Sequence, residues 1–77
     1  MDVISIGFGN FLNKNRIVSV SNPNSAPMKK LKEQLKKDGK MIDATEGRKT
    51  RSIIVMDSGH IVLSGLASAT IAERMDK

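Results

Sequence analysis

The chain has 77 residues and carries 13 lysines and arginines against 8 aspartates and glutamates, a formal net charge of +5 at pH 7. A chain this short forms one domain, residues 1–77, and buries only about 60–65% of the surface that its unfolded form exposes. It has no cysteine and one histidine, which excludes disulfides and thiolate zinc sites. We therefore expect no metal and no cofactor, and we expect further copies of the chain to supply part of the stability.

The excess of positive charge, with a sequence pI near 9.9, favours an anionic partner, either nucleic acid or an anionic membrane surface. Aromatic residues make up 3% of the chain. Single-stranded nucleic acids are usually held by stacking bases on aromatic rings, so duplex is the better candidate. The N-terminus lacks a signal-peptide pattern, and no apolar stretch approaches the ~20 residues that span a bilayer. A cytoplasmic location is the default expectation.

Two β-strands are predicted at the start of the chain, over residues 3–8 and 15–20. The two-residue period of the first strand places three apolar side chains on one face: Ile4, Ile6 and Phe8. Gly7 and Gly9 then predict a bend or turn. The second strand is rich in β-branched residues and has Arg16 at its entrance. Because the connection is short, we expect these two strands to be antiparallel neighbours.

A helix follows, with Ser25 as its N-cap, Pro27 in the first turn and Gly39 as a left-handed stop after about Asp38. Three of its apolar residues fall within a narrow arc and should face the core: Met28, Leu31 and Leu35. Five lysines cover much of the remaining surface: Lys29, Lys30, Lys32, Lys36 and Lys37. They form either a DNA-reading surface or a solvated face, and the second is the more typical role for such a pattern.

The second half of the chain predicts a short strand or extended link over residues 40–44, then strands over 52–56 and 61–66. Asp57-Ser58-Gly59 predicts the hairpin between the last two. Both strands are apolar on both faces, which indicates a central position or a second cover, and a second subunit is one source of that cover.

The last predicted element is a short helix running to Met75. Ser68 is expected to cap it, with Ile71, Ala72 and Met75 facing inward. The element order is β-β-α-β-β-β-α. This order predicts a small α+β domain with a mostly antiparallel sheet, one longer helix and one short C-terminal helix.

A basic cluster lies where the chain enters the strand over residues 52–56. Gly47-Arg48-Lys49-Thr50-Arg51 puts three cations within five residues, directly before that stiff apolar segment. Such a cluster is either an ordinary solvated surface or a set of cations held in place to bind an anion. His60 near Asp57 offers the only conceivable catalytic pair, but nothing around it supplies a nucleophile or an oxyanion site, so we expect no enzyme.

Several motifs occur in a fixed order: Ile6-Gly7-Phe8-Gly9-Asn10, Asn15-Arg16-Ile17, Ser25-Ala26-Pro27, Ile42-Asp43-Ala44-Thr45, Gly47-Arg48-Lys49-Thr50-Arg51 and Met56-Asp57-Ser58. In this order and spacing they resemble the RemA family of bacterial regulators of extracellular matrix genes, over residues 3–75. The resemblance implies a cytoplasmic, nucleoid-associated transcriptional regulator. It would form closed homo-oligomeric rings that bind, bend or wrap double-stranded DNA, with no membrane or small-molecule partner.

The resemblance also implies DNA-contacting residues. The family's arginine at the entrance of the second strand matches Arg16, its basic pair matches Arg48 and Lys49, and its next cation matches Arg51. The chain departs from the family where a lysine replaces the second arginine of the pair, which keeps the charge and loses the planar fork. Alternative functions are an oligomeric scaffold whose basic turn meets an acidic protein, and RNA binding.

Overall fold

The computed structural model describes residues 2–76 of the chain. In chain order, its strands and helices are β1 (Val3–Gly7), β2 (Asn10–Asn13), β3 (Ile17–Ser21), α1 (Ala26–Lys37), β4 (Met41–Asp43), β5 (Ser52–Met56), β6 (Ile61–Ser64) and α2 (Ser68–Met75). A one-turn 3-10 helix, Lys14–Arg16, leads into β3. The predicted α+β class is confirmed, and the predicted helices and most of the predicted strands are present.

Four strands form the main sheet, in the spatial order β3-β5-β6-β4. The β3–β5 and β5–β6 pairs are antiparallel, whereas β4 runs parallel to β6. Strands β5 and β6 are therefore the central pair, which explains why their apolar residues point to both faces. The turn after β5 joins them as the predicted hairpin.

Each face of the central pair is covered by the chain itself. On one face, Ile54 and Val62 pack with buried residues of the β1–β2 hairpin and α2: Ile4, Ile6 and Ile71. On the other face, three buried residues of β5 and β6 pack against the apolar side of α1: Ile53, Ile61 and Leu63. The three apolar residues predicted to face the core from α1 are half-buried against this second cluster. No second subunit is needed to cover this sheet.

The expected pairing of the first two predicted strands is wrong. Strand β1 pairs with β2, an element that the sequence pattern missed, while β3 pairs with β5. The turn after β1 is tight because Gly7, Phe8 and Gly9 all have positive φ angles, of 99°, 56° and 81°. It returns the chain at once into a short strand. Phe8 consequently leaves the apolar face predicted for it and is 41% exposed.

Helix α1 begins and ends as predicted. The Ser25 hydroxyl accepts a hydrogen bond from the Met28 N–H at 3.4 Å, and Gly39 adopts a φ of 71° just beyond the last turn. These are local signals, since a cap and a left-handed stop act within a few residues of the helix end.

Helix α2 departs from the prediction in two details. Its N-cap is Ala67, which makes no side-chain hydrogen bond, and Ser68 is already helical. Ile71 is fully buried as expected, but Ala72 is exposed. The Arg74 Nη1 donates to the Ser5 carbonyl at 2.9 Å, which ties the helix to β1. Within residues 2–76, neither helix has the length and apolarity that a bilayer crossing requires.

Candidate nucleic-acid interface

The turn that carries the basic cluster begins with an anchored pair of residues. The Asp43 Oδ1 accepts from the Thr45 hydroxyl at 2.6 Å and from the Thr45 N–H at 2.9 Å. Both hydrogen bonds favour the charged form of Asp43 and lower its pKa below the ordinary value. The hydrogen bond from the Thr45 hydroxyl has the larger effect, and the one from the Thr45 N–H has the smaller. Thr45 is 3% exposed. The first residues of the turn are therefore held by the protein interior.

A left-handed reversal then brings the cations to the surface. Glu46 and Gly47 have φ angles of 53° and 79°, and the Arg48 N–H donates to the Thr45 carbonyl at 3.0 Å, which closes the turn. Glycine adopts this conformation freely, whereas Glu46 does so at a steric cost. The reversal places Arg48 directly after the turn.

The Arg48 side chain is held by two contacts. Its Cζ lies 3.7 Å from the centroid of the Phe8 ring, a cation–π arrangement, and its Nη1 donates to the Glu46 carbonyl at 3.4 Å. Arg48 is nevertheless exposed. An exposed arginine with a defined orientation is suited to bind an anion.

Lys49 and Arg51 lie on the wall of an open cleft of about 320 Å³. The other lining residues come from the β3–α1 loop, the basic turn and the start of α2: Asn22, Pro23, Asn24, Thr50 and Ala67. The Arg51 N–H donates to the Ser64 carbonyl at 2.8 Å, which fixes the backbone at the entrance to β5. Between residues 2 and 76, no carboxylate lies within ion-pair distance of Arg48, Lys49 or Arg51. Their charges are available to a partner.

Arg16 does not join this cluster within one protomer. Its Nη1 lies 3.2 Å from the Asp57 Oδ2, with the Arg16 side chain 67% exposed. The Asp57 N–H also donates to the Arg16 carbonyl, at 2.9 Å. Asp57 follows β5, whereas Arg51 precedes it, so the length of the strand, roughly 17 Å, separates the two basic places. The structure thus keeps Arg16 apart from the other three predicted site residues, which are neighbours in the sequence.

The remaining candidates make different contacts. His60 Nδ1 lies 2.8 Å from the Ser58 hydroxyl on an exposed turn, and Asp57 pairs with Arg16, so the conceivable Asp57–His60 pair does not form. Of the five lysines of α1, four are exposed and Lys32 is half-buried, as in a solvated helix face.

Phe8 is the site residue that the sequence interpretation missed. Its alternation with Ile4 and Ile6 indicated a core position, yet it lies against the guanidinium of Arg48. A signal was present in the sequence, because Gly7 and Gly9 flank Phe8, and glycine within a strand pattern weakens the strand and often marks a bulge or bend.

Comparison with known proteins supports the family resemblance that the sequence motifs indicate. The sequence model of the family described as RemA-like, extracellular matrix regulatory protein A-like, matches residues 3–75. A relative from Thermodesulfovibrio yellowstonii is 55% identical over 75 residues, covering 97% of this chain and 88% of its own. Relatives from Fervidobacterium nodosum and Thermosipho melanesiensis are 56% and 57% identical over 72 residues, each covering 94% of this chain and 77% of the relative. All three carry the name "Putative regulatory protein". The chain belongs to the RemA-like family.

Proposed function

We propose that this protein is a transcriptional regulator that binds duplex DNA through the turn between β4 and β5. The observation that carries the proposal is the set of three exposed cations, Arg48, Lys49 and Arg51, held on a hydrogen-bonded turn and, within residues 2–76, not within ion-pair distance of any carboxylate. Membership of a regulatory family and the names of the relatives support the same role. The net charge of +5 adds a general attraction to polyanions.

Binding of this kind rests on phosphate contacts. Each neutralised phosphate steepens the dependence of log affinity on log salt by roughly 0.9. The basic turn contains no recognition helix, so specificity would come from groove width and DNA deformability more than from base edges. The two arginines can grip phosphate oxygens with a planar fork, whereas Lys49 acts as a point charge.

We further propose that the protein acts as a closed homo-oligomeric ring. Within residues 2–76, β3 and β4 are the edge strands of the four-stranded sheet, and each carries an exposed apolar side chain: Val18 on β3 is 66% exposed, and Ile42 on β4 is 51% exposed. Strands β3 and β4 both run in the direction of β6, so the β3 edge of one copy can join the β4 edge of the next head to tail. Such a heterologous interface closes into a ring when its rotation allows.

Assembly would join the weak DNA-binding sites of single protomers into one site of higher affinity. One protomer presents only a few cations, and linking sites that engage the same duplex raises avidity by about 10²–10⁴. A ring would also repeat Arg16, which lies at the far end of β5 from the basic turn. Repeated contacts along a curved rim favour DNA that bends or wraps. The proposed targets are extracellular matrix genes, in keeping with the family description, and the proposed location is the nucleoid.

Electrophoretic shifts with duplex DNA, single-stranded DNA and RNA of equal length test the partner. We expect the duplex to shift at the lowest protein concentration, with an affinity that falls steeply as salt rises from about 50 to 200 mM. Phosphate binding is strongest at low salt. If duplex DNA does not shift at about 50 mM salt, the result would contradict the proposal and favour an acidic protein as the partner.

Light scattering coupled to size exclusion tests the ring. We expect one species whose mass is a fixed multiple of the 8.4 kDa chain over a wide range of protein concentration, because a closed ring satisfies all its interfaces at one size. A monomeric mass, or a mass that grows continuously with concentration, would contradict a closed assembly.

A further inference from the structure

The Phe8 ring lies in a closely fitted position between the hairpin turn and the basic turn. The Arg48 guanidinium carbon is 3.7 Å from its centroid. Gly65, directly after β6, lies against both residues: a Cβ added there would be 3.1 Å from the Phe8 Cε2 and 3.6 Å from the Arg48 Cβ. Any side chain larger than hydrogen at position 65 would therefore crowd the ring. Glycine at this position makes room for the Phe8–Arg48 contact.

The backbone holds Phe8 in a conformation that phenylalanine rarely adopts. Its φ is 56°, between Gly7 at 99° and Gly9 at 81°. A strained conformation of a bulky residue persists only where the surrounding structure holds it, and such residues concentrate at functional sites. With 41% of its surface exposed, Phe8 does not receive the full gain from burial that would explain the strain.

A second contact joins the two turns. The Asn10 Nδ2 lies within hydrogen-bond distance of the Gly7 carbonyl, at 3.2 Å, and of the Ala44 carbonyl, at 3.4 Å. The turn that carries Phe8 is thus attached to the segment that leads into the basic turn.

We propose that Phe8 is a positioning residue for Arg48, and that its ring orients the guanidinium toward DNA phosphate. The guanidinium carbon lies over the ring, and the N–H donors of a guanidinium lie in its plane and point outward from its edge. One of them, on Nη1, donates to the Glu46 carbonyl. The others make no hydrogen bond within residues 2–76 and can donate to phosphate oxygens. An arginine already oriented loses less side-chain freedom when it binds.

This inference rests on the proposed function, since it assigns a role within the same DNA-binding site. The competing role for Phe8 is direct stacking on a base or insertion between base pairs. The geometry favours positioning, because the guanidinium of Arg48 already occupies one face of the ring, the surface that a stacked base would use. The two roles differ in whether the effect of Phe8 requires Arg48.

The experiment compares the parent protein with Phe8→Leu and Phe8→Tyr, using duplex DNA titrations at two salt concentrations. We expect Phe8→Leu to weaken binding by at least about threefold, in line with loss of an exposed cation–π contact, and Phe8→Tyr to retain the parent affinity. Phe11→Leu is the matched control, because Phe11 is 63% exposed on β2 and is the other aromatic residue. Assembly mass and Tm are measured for every variant.

A double-mutant cycle then separates positioning from direct contact. Phe8→Leu should have no further effect in an Arg48→Ala background if the ring acts through Arg48. An equal loss in both backgrounds would overturn positioning and indicate that Phe8 touches DNA itself. Unchanged affinity of a folded Phe8→Leu protein, with the parent assembly mass, would overturn the inference while leaving DNA binding intact.

A readout without DNA keeps the inference separable from the proposed function. The Arg48 side-chain protons should show an upfield ring-current shift by NMR that disappears in Phe8→Leu. If Phe8→Leu does not fold, pentafluorophenylalanine at position 8 keeps the ring shape and reverses its electrostatic face, and it should weaken binding in the same way. Absence of the ring-current shift overturns the contact itself. Absence of duplex binding by the parent overturns the proposed function and the role of Phe8 toward DNA, even where that shift is present.

Discussion

Replacing Arg48 with alanine is expected to weaken binding to duplex DNA by about tenfold or more. Each protomer then loses the oriented cation of its basic turn, and the salt dependence should fall by about 0.9 in log–log slope for each phosphate contact removed. Because the same residue recurs in every copy of an assembly, the losses multiply across the subunits that engage one duplex. Fluorescence anisotropy titrations at several salt concentrations measure both the affinity and the slope.

Lys30→Ala is the matched control for this prediction. It removes the same single charge from an exposed position on α1. We expect only a small, general loss from it. Similar losses for the two variants would mean that net charge, and not the basic turn, determines binding. Unchanged binding by a folded, fully assembled Arg48→Ala protein would remove Arg48 from the interface.

Replacing Arg16 with alanine is expected to weaken duplex binding less than Arg48→Ala does, because the Arg16 side chain is paired with Asp57. The same titrations measure this difference.

Replacing Ile54 with alanine is expected to reduce the free energy of unfolding by about 2–5 kcal/mol. Ile54 is fully buried at the centre of β5, where it pairs with Val20 of β3 and Val62 of β6. A chain of this size is stabilised by only about 3–5 kcal/mol, so the loss approaches the whole stability of one protomer. Urea unfolding followed by circular dichroism measures the change at one fixed protein concentration, because the proposed assembly would add stability by mass action.

Ile42→Ala controls for the chemistry of the same substitution. Ile42 lies on the edge strand β4 and is 51% exposed. At a protein concentration low enough to dissociate the proposed assembly, we expect a loss well below that of Ile54→Ala, since much of its side chain is already in water. A comparable loss at both positions would contradict the packing described for the central strands.

The elements with local signals were predicted well from the sequence. The cap at Ser25, the stop at Gly39 and the spacing of apolar residues define α1 within a single stretch of chain. The turn at residues 57–59 likewise defines the β5–β6 hairpin. In each case the atoms that decide the structure lie within a few residues of one another, so propensity and periodicity are sufficient evidence.

The pairing of strands was predicted poorly. Two β-rich segments close in sequence suggested a hairpin between β1 and β3, whereas the chain inserts β2 and sends β3 to β5. The parallel β4–β6 pair was not foreseen either. Pairing depends on which faces the whole chain can bury together, and that is a non-local quantity.

For the candidate site, the sequence by itself determined the basic cluster, because Arg48, Lys49 and Arg51 are neighbours along the chain and need no fold to bring them together. Only the tertiary structure decided their surroundings. It places Arg16 at the opposite end of β5 and brings Phe8 onto the guanidinium of Arg48, across 40 positions in the sequence. The physical reason is that composition sets the charge, whereas strand pairing and the left-handed turns set the direction in which each charge points.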